Sequence, residues 1–548
     1  MKPNLDLTRA LSCTIIGAAT LFAGCGGSDD PPASPTVGPA AVAGDCASMV
    51  NYKASVATTI TKAERIDASA SAPWATPTNI FTAAPLQVTT PLCRVVGVIK
   101  PTDKSSISFE LWMPPTSANW NGKFVGNAVG GSAGTILYAS LTDPLKRGYA
   151  VMGHDNGHTS TGPFEQSWAF DTATNTVKMD PVIDFGYRAQ HVATVVTKEL
   201  TKVFYGSTLS HSYYNGCSQG GHHGLMEVQR YPDDYDGAVA GSHGGDWLGM
   251  MSSEAYAGVS VLKNNRAGGL TTSQLTAFHS AVVAACDAND GLVDGQIGDP
   301  RQCNFDPAVL QCGAAGADPA TCLSAAQVQA SKAIYAGPRR TGSGETVSPG
   351  YAVGSEGNWA TTWNATTSLQ SGSYYDFFRL ILKQSPSFDI LNLNWDTDID
   401  AGRAQFGPIY DANDPDLSAF KANKGKLIMY HGWADPLITP YLSVNYWNRL
   451  QGTMGEASVK DFARLFMVPD MGHCGGGPIG AADWLSPLEK WVEKGIAPDA
   501  TNPDSTITGS GTVAGAARTR PLCPYPAVAK YKGSGDINAA ANFTCAAP

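Results

Sequence analysis

Ser218 sits in a run that leaves the chain few ways to fold: Tyr213-Tyr214-Asn215-Gly216-Cys217-Ser218-Gln219-Gly220-Gly221-His222. An apolar, β-prone stretch from Ser212 to Asn215 leads in, and a helix-capable stretch from His222 to Arg230 leads out. Gly216-x-Ser218-x-Gly220 between a strand and a helix predicts a turn so tight that only small residues fit beside the serine. The serine then projects above the edge of a sheet. The bare pattern carries little by itself. Gly130-Gly131-Ser132-Ala133-Gly134 is a second literal match, and a Gly-rich turn explains either one equally well. Residues further along the chain separate the two.

The chain of 548 residues is long enough for two or more domains, or for one large domain with an insertion. Apolar residues make up 43% and charged residues 15%, with 59 Gly and 35 Pro, a globular and loop-rich composition. Lys and Arg number 37 against 47 Asp and Glu. The net charge of −10 argues against a nucleic-acid binder.

Lys2 and Arg9 precede an apolar run from Leu11 to Ala23, too short to span a bilayer in the mature protein and suited to a removable export signal. It ends in Leu21-Phe22-Ala23-Gly24-Cys25, which resembles a bacterial lipoprotein signal with Cys25 as the lipidated mature N-terminus. Phe22 and Asp6 are imperfect for that signal, and an ordinary cleaved signal peptide is the alternative. The expectation is a signal over residues 1–24, a flexible tether over 25–45, and an exported protein: an outer-membrane-anchored lipoprotein, or a periplasmic or secreted one, with no mature transmembrane span.

Export makes the cysteines readable as disulfides. Setting aside Cys13 and Cys25 leaves ten. Local spacing suggests Cys286–Cys303, Cys312–Cys322 and Cys523–Cys545, and Cys46–Cys93 would staple the N-terminal segment. Cys217 and Cys474 remain. Bonded to each other, they would make Ser218 and His473 neighbours, because a disulfide holds its Cα atoms about 5.5–6 Å apart. A lone buried thiol or a different pairing are the alternatives.

Ser106–Met113 alternates as a half-buried strand does, and 123–127, 149–155, 212–215, 237–241, 426–431 and 463–469 read as further strands. Helices are expected over Phe185–Tyr205, Tyr441–Leu450 and Trp484–Lys494. Alternating strand and helix implies an α/β fold with a mostly parallel sheet. Between about Gly244 and Asn423 the rhythm is lost in a stretch holding four cysteines, which reads as an inserted lid. The expected division is a catalytic domain over 46–243 and 424–548 and a lid over 244–423.

Three chemistry-bearing residues stand just past strand ends: Ser218, Asp435 and His473. That edge is where open α/β sheets place their sites, and the order Ser, Asp, His is the α/β-hydrolase order. Ser218 is the expected nucleophile, His473 the general base and then acid, Asp435 the residue that orients the imidazole. The backbone N–H groups of Gly131 and Gln219 are the expected oxyanion donors. His154, His158, His222, His223 and His431 are alternative bases. His154 and His158 share a loop, but no zinc-ligand spacing accompanies them. Asp287-Ala288-Asn289-Asp290-Gly291-Leu292-Val293-Asp294-Gly295-Gln296 packs carboxylates on a tight loop suited to Ca²⁺, and a solvated acidic turn is the plainer alternative.

Gly216–Gly221, Cys286–Gly291, Met471–Gly477 and Arg518–Cys523 resemble the tannase and feruloyl esterase family of α/β-hydrolases, over a span from about Cys46 to the end. The resemblance implies the triad Ser218, Asp435, His473 and a Cys217–Cys474 disulfide. It also implies a structural lid calcium held by the carboxylates of Asp287, Asp290 and Asp294 and the carbonyls of Leu292 and Gln296. Family substrates are esters of aromatic acids: gallates and feruloyl or other hydroxycinnamoyl esters.

The departures lie in the substrate pocket. Family members whose substrate has a free second carboxylate grip it with a lid arginine in a Ser- and Phe-containing segment, which is not found here. Arg379, in Tyr374-Tyr375-Asp376-Phe377-Phe378-Arg379, stands at no position that can be equated with it. Ile438 replaces an aromatic wall residue, and the lid looks shorter. Ser132, Arg379 and Ile438 are the expected substrate contacts. The expected activity is a serine esterase acting on aromatic carboxylic esters through an acyl-enzyme. The alternatives are a hydrolase of mono(2-hydroxyethyl) terephthalate and a catalytically dead, calcium-stabilised binding protein.

Overall fold

The computed structural model describes residues 41–81, 84–362, 373–499 and 504–548. The expected signal segment, Cys25 and most of the expected tether lie outside the described residues.

A nine-stranded sheet forms the centre, made of β1 (Thr58–Ile66), β2 (Leu92–Ile99), β3 (Ile107–Met113), β4 (Lys123–Gly126), β5 (Ala150–His154), β6 (His211–Cys217), β7 (Gly237–Gly241), β8 (Lys426–Gly432) and β9 (Ala463–Val468). Their spatial order is β1-β2-β3-β5-β4-β6-β7-β8-β9. From β5 to β9 the neighbours run parallel, and β1, β2 and β3 extend one edge antiparallel. The expected α/β fold with a mostly parallel sheet is therefore present.

The longer helices are α1 (Tyr138–Lys146), α2 (Ala189–Tyr205), α3 (Gln219–Arg230), α4 (Trp247–Arg266), α5 (Thr272–Cys286), α6 (Ala325–Ala336), α7 (Thr397–Tyr410), α8 (Tyr441–Met454) and α9 (Leu485–Lys494). Successive strand residues point to opposite faces, and both faces are covered, so the parallel strands read as continuous apolar runs. Tyr214, Ala238 and Leu427 pack with α2, α3 and α8. Their neighbours Tyr213, Val239 and Ile428 pack with Leu141 and Leu145 of α1 and Leu488 and Trp491 of α9.

Helices α4 to α7 lie between β7 and β8. They surround a second apolar cluster that includes Leu248, Val261, Phe278, Trp359 and Phe406, and that Phe185, Ile438 and Leu442 of the flanking chain also join. The stretch where the strand–helix rhythm fails is thus a helical insertion. Two of its helices begin with reciprocal caps, Thr271 with Gln274 and Ser324 with Gln327. The C-terminal segment forms the hairpin β10 (Ile507–Val513) and β11 (Ala516–Leu522). All five cysteine pairs, Cys46–Cys93, Cys217–Cys474, Cys286–Cys303, Cys312–Cys322 and Cys523–Cys545, are bonded. Among the described residues no helix is long and apolar enough to cross a membrane.

Candidate active site

Ser218 follows β6 directly and precedes the first residue of α3. Its backbone is left-handed, φ 63°, a conformation that costs a non-glycine residue of order 1–3 kcal/mol and persists only where the surroundings enforce it. The enforcement is visible in the flanking glycines. A Cβ on Gly216 would meet the Gly220 carbonyl oxygen at 2.5 Å, and one on Gly221 would meet the Gly241 oxygen at 2.1 Å. The Ser218 N–H donates to the Gly241 carbonyl (3.0 Å), and the Tyr214 hydroxyl donates to that of Gly220 (2.6 Å). Small residues let strand and helix close on each other, and the serine is left at the tip.

β6, β8 and β9 deliver the three expected residues to one point. His473 Nε2 lies 2.7 Å from Ser218 Oγ, and His473 Nδ1 lies 2.7 Å from Asp435 Oδ2. The carboxylate fixes the tautomer: Nδ1–H donates to Asp435, so Nε2 accepts from the Ser218 hydroxyl. The Cys217–Cys474 disulfide, Cα atoms 5.9 Å apart, ties the residue before the serine to the residue after the histidine.

Asp435 is fully buried and saturated with donors. Oδ1 accepts the backbone N–H groups of Leu437 (2.9 Å) and Ile438 (3.0 Å). Oδ2 also takes His431 Nε2–H at 3.2 Å, which the Ile438 carbonyl shares at 3.0 Å. Burial alone would raise the Asp435 carboxyl. His473 and His431 beside it outweigh that and hold it well below the usual carboxylate range. Behind it the chain continues. His431 Nδ1 accepts from the Ser443 hydroxyl (2.7 Å) and Ser443 Oγ accepts from His243 Nε2 (3.0 Å). His431, an alternative base on sequence grounds, thus stands behind the carboxylate rather than beside the serine, and sequence reasoning did not find Ser443 or His243. Their only sequence trace is polarity at otherwise apolar positions.

The other alternative bases are also engaged elsewhere. His154 faces Gln190 (2.7 Å), His222 donates to the Tyr410 carbonyl (2.6 Å) and His223 to that of Phe185 (2.8 Å). His158 donates to the Ser132 carbonyl (3.0 Å). Burial pushes His154, His158 and His222 down to about 4, so they stay neutral near pH 7.

The second glycine-rich run faces the serine. A Cβ on Gly130 would lie 3.7 Å from the Ser218 Cβ, and one on Gly131 (φ 64°) would strike the Pro163 carbonyl oxygen at 2.2 Å. Gly130 thus packs beside the nucleophile and Gly131 lines the same cleft, while the Gln219 N–H, as the first of α3, has no partner within the helix. A cleft of about 890 Å³ opens here, lined by Ser218, His473, Gly130, Gly131, Phe81 and Phe164 among others. A smaller cavity of about 330 Å³ lies between His473 and the insertion residues Asn358 and Ala360.

Arg379 and Ile438, expected as substrate contacts, line neither space. Arg379 bonds Asp376 (Nε 3.0 Å) and the Pro386 carbonyl (3.0 Å), because Asp376 lies one helical turn before it. Ile438 is buried and spends its backbone on Asp435 and His431. Ser132 is buried beneath the glycine loop, its N–H donating to Pro163 (2.7 Å).

The acidic loop lies in the insertion after α5, closed by Cys286–Cys303. Its amides fold onto its own carboxylates: Gly295 N–H donates to Asp287 Oδ2 (2.8 Å) and Leu292 N–H to Asp290 Oδ1 (3.0 Å). Burial raises the Asp290 carboxyl, and Asp294 and Asp287 push it further up. Three carboxylates on one tight loop that also presents carbonyls form a donor set that fits a hard divalent cation. Arg520 of β11 pairs with Asp294, and Arg518 donates to the Asp294 carbonyl (3.1 Å), which anchors the C-terminal hairpin on this loop.

Comparison with known proteins agrees with this geometry. Residues 93–546 match the model of the family described as tannase and feruloyl esterase. An uncharacterised esterase of Xanthomonas campestris is 34% identical, over 83% of this chain and 84% of its own. Mono(2-hydroxyethyl) terephthalate hydrolase of Piscinibacter sakaiensis is 35% identical, over 81% and 82%. The crystal structure of feruloyl esterase B from Aspergillus oryzae superposes with a TM-score of 0.81 at 26% identity, covering 92% of this chain and all of that one.

Proposed function

The chain belongs to the tannase and feruloyl esterase family and is a carboxylic ester hydrolase; from that premise we propose that it is an exported serine esterase cleaving esters of aromatic acids of the feruloyl or gallate kind. The observation that carries the reading is the continuous hydrogen-bond chain Ser218–His473–Asp435. Ser218 Oγ attacks the ester carbonyl while His473 Nε2 takes its proton. The carbonyl oxygen becomes an oxyanion between the N–H groups of Gln219 and Gly131, each such donor worth about 3–4 kcal/mol in the transition state. His473 then protonates the departing alcohol. Water, deprotonated by the same imidazole, hydrolyses the acyl-enzyme. Asp435 stays ionised and offsets the imidazolium charge.

The aromatic acyl preference is supported by the likeness to feruloyl esterase B of Aspergillus oryzae. Cleavage of mono(2-hydroxyethyl) terephthalate is the activity named for the Piscinibacter relative. In this chain the lid residue Arg379 is already paired with Asp376. The test is kcat/KM on methyl ferulate, methyl gallate and mono(2-hydroxyethyl) terephthalate side by side. A preference of more than about tenfold for the neutral phenolic esters, ~1.4 kcal/mol, is expected. Preference for the terephthalate ester overturns the substrate assignment and leaves the esterase chemistry standing.

The same reading includes a structural Ca²⁺ in the insertion. The carboxylates of Asp287, Asp290 and Asp294 and the carbonyls of Leu292 and Gln296 would hold it, and it would supply rigidity rather than chemistry. Export is supported by the five disulfides, which persist in oxidising compartments. Lipid anchoring at Cys25 is part of the proposal.

A further inference from the structure

Away from the serine, α2, α3 and the loop before β7 meet around three side chains: His191, Glu227 and Asp234. One ligand atom from each lies within 4.8 Å of the other two. His191 Nδ1 is 2.6 Å from Asp234 Oδ2, and its ring is stacked on Tyr231 at 3.6 Å, which fixes its orientation. Glu227 is the unusual member. It is 1% exposed, and neither carboxylate oxygen has a hydrogen-bond donor among the described residues. Leaving a buried carboxylate unpaired costs several kcal/mol. The group beside it, Asp234, is another acceptor and makes matters worse. The nearby cation Lys198 is directed elsewhere, its Nζ donating to the Asp234 backbone carbonyl (2.6 Å) and to Ser212 Oγ (3.4 Å).

We infer that His191, Glu227 and Asp234 form a binding site for a borderline divalent cation of the Zn²⁺ class, separate from both the active site and the acidic loop. One imidazole nitrogen and two carboxylates are the ligand types such ions take at about 2.0–2.2 Å. Ligands of one tetrahedral ion at those distances lie about 3.3–3.6 Å apart, so binding would draw the widest pair, now within 4.8 Å, together by about 1 Å and open the 2.6 Å His191–Asp234 contact. A dication balances two carboxylate charges and gives both orphaned Glu227 oxygens a partner. His191 and Asp234 retain 29% and 13% side-chain exposure, so the ion has a route from solvent and room for a water ligand. The ion would cross-link α2 to α3, the helix whose N-terminus carries Ser218.

The test is calorimetric titration of the purified, disulfide-bonded protein with ZnCl₂ in a CaCl₂-containing buffer, beside Glu227→Gln and His191→Ala. Thermal melts with and without ZnCl₂ provide a second readout. One Zn²⁺ per chain is expected, with affinity lowered at least tenfold in each variant and with Zn²⁺ raising the Tm of the wild type only. No uptake by the wild type overturns the inference, as does equal uptake by all three proteins. A proton shared by Glu227 and Asp234 is the alternative way to settle this buried pair, and it gives the first of those negative results.

Discussion

At the residue scale, the site works because each group leaves its neighbour one role. Asp435 receives four donors, and two of them, His473 Nδ1–H and His431 Nε2–H, converge on one oxygen. That arrangement keeps the carboxylate ionised in a dry place and leaves His473 Nε2 bare for the serine. Asp435→Asn puts an amide where the acceptor was and favours the wrong tautomer. It should lower kcat by about 10³–10⁴-fold with little change in KM, measured on methyl ferulate. Ser218, Asp435 and His473 were legible in the sequence because each sits beyond a strand end in a Gly-rich turn. The His431–Ser443–His243 chain was not, because its members are brought together by β8, α8 and the β7 exit, and nothing local marks them as partners. Ile438 shows a role no side-chain reading reveals: its backbone N–H and carbonyl serve Asp435 and His431.

At the element scale, the strands that carry the site are short, apolar and parallel, and both faces are covered. Such strands announce themselves in sequence as unbroken runs, as Gly237–Gly241 does. The insertion did not, because α5 and α6 are rich in Ala, Ser and Gln and show little periodic contrast. Their starts were nonetheless written in Thr271-x-x-Gln274 and Ser324-x-x-Gln327, a signal that capping chemistry supplies even where periodicity fails. The disulfide between the β6 and β9 exits spans 257 residues. Replacing both Cys217 and Cys474 with Ser frees the histidine loop from the elbow. A displacement of about 1 Å there costs on the order of 10²-fold in kcat, and a chain-entropy loss of roughly 2–4 kcal/mol is expected in stability. Steady-state kinetics and urea unfolding of the double variant check both.

At the scale of the whole molecule, the sheet, the insertion and the C-terminal hairpin depend on one another through buried polar groups. Chelation of the proposed Ca²⁺ should lower the Tm by several degrees and loosen β11, which Arg518 and Arg520 tie to the acidic loop. Excess CaCl₂ should restore it, as mass action requires. Buried histidines set part of the pH response. His222 falls from 6.5 unfolded to about 4 folded because burial opposes its charge. Between those values the unfolded chain binds the extra proton, so the stability His222 contributes is complete above about 6.5 and is lost as pH falls towards 4. In His222→Gln that loss is absent. The wild-type advantage should therefore shrink by about 1.4 kcal/mol per pH unit across this window, measured by urea unfolding from pH 7 to pH 4.5. The activity itself is best tested on one atom. The measurement is kcat/KM of Ser218→Ala and wild type on methyl ferulate, with near-ultraviolet circular dichroism showing that both are folded. A folded variant with turnover reduced by at least about 10³-fold is the predicted result. A folded variant that hydrolyses the ester within tenfold of wild type would contradict the assignment of Ser218 as nucleophile, and with it the mechanism.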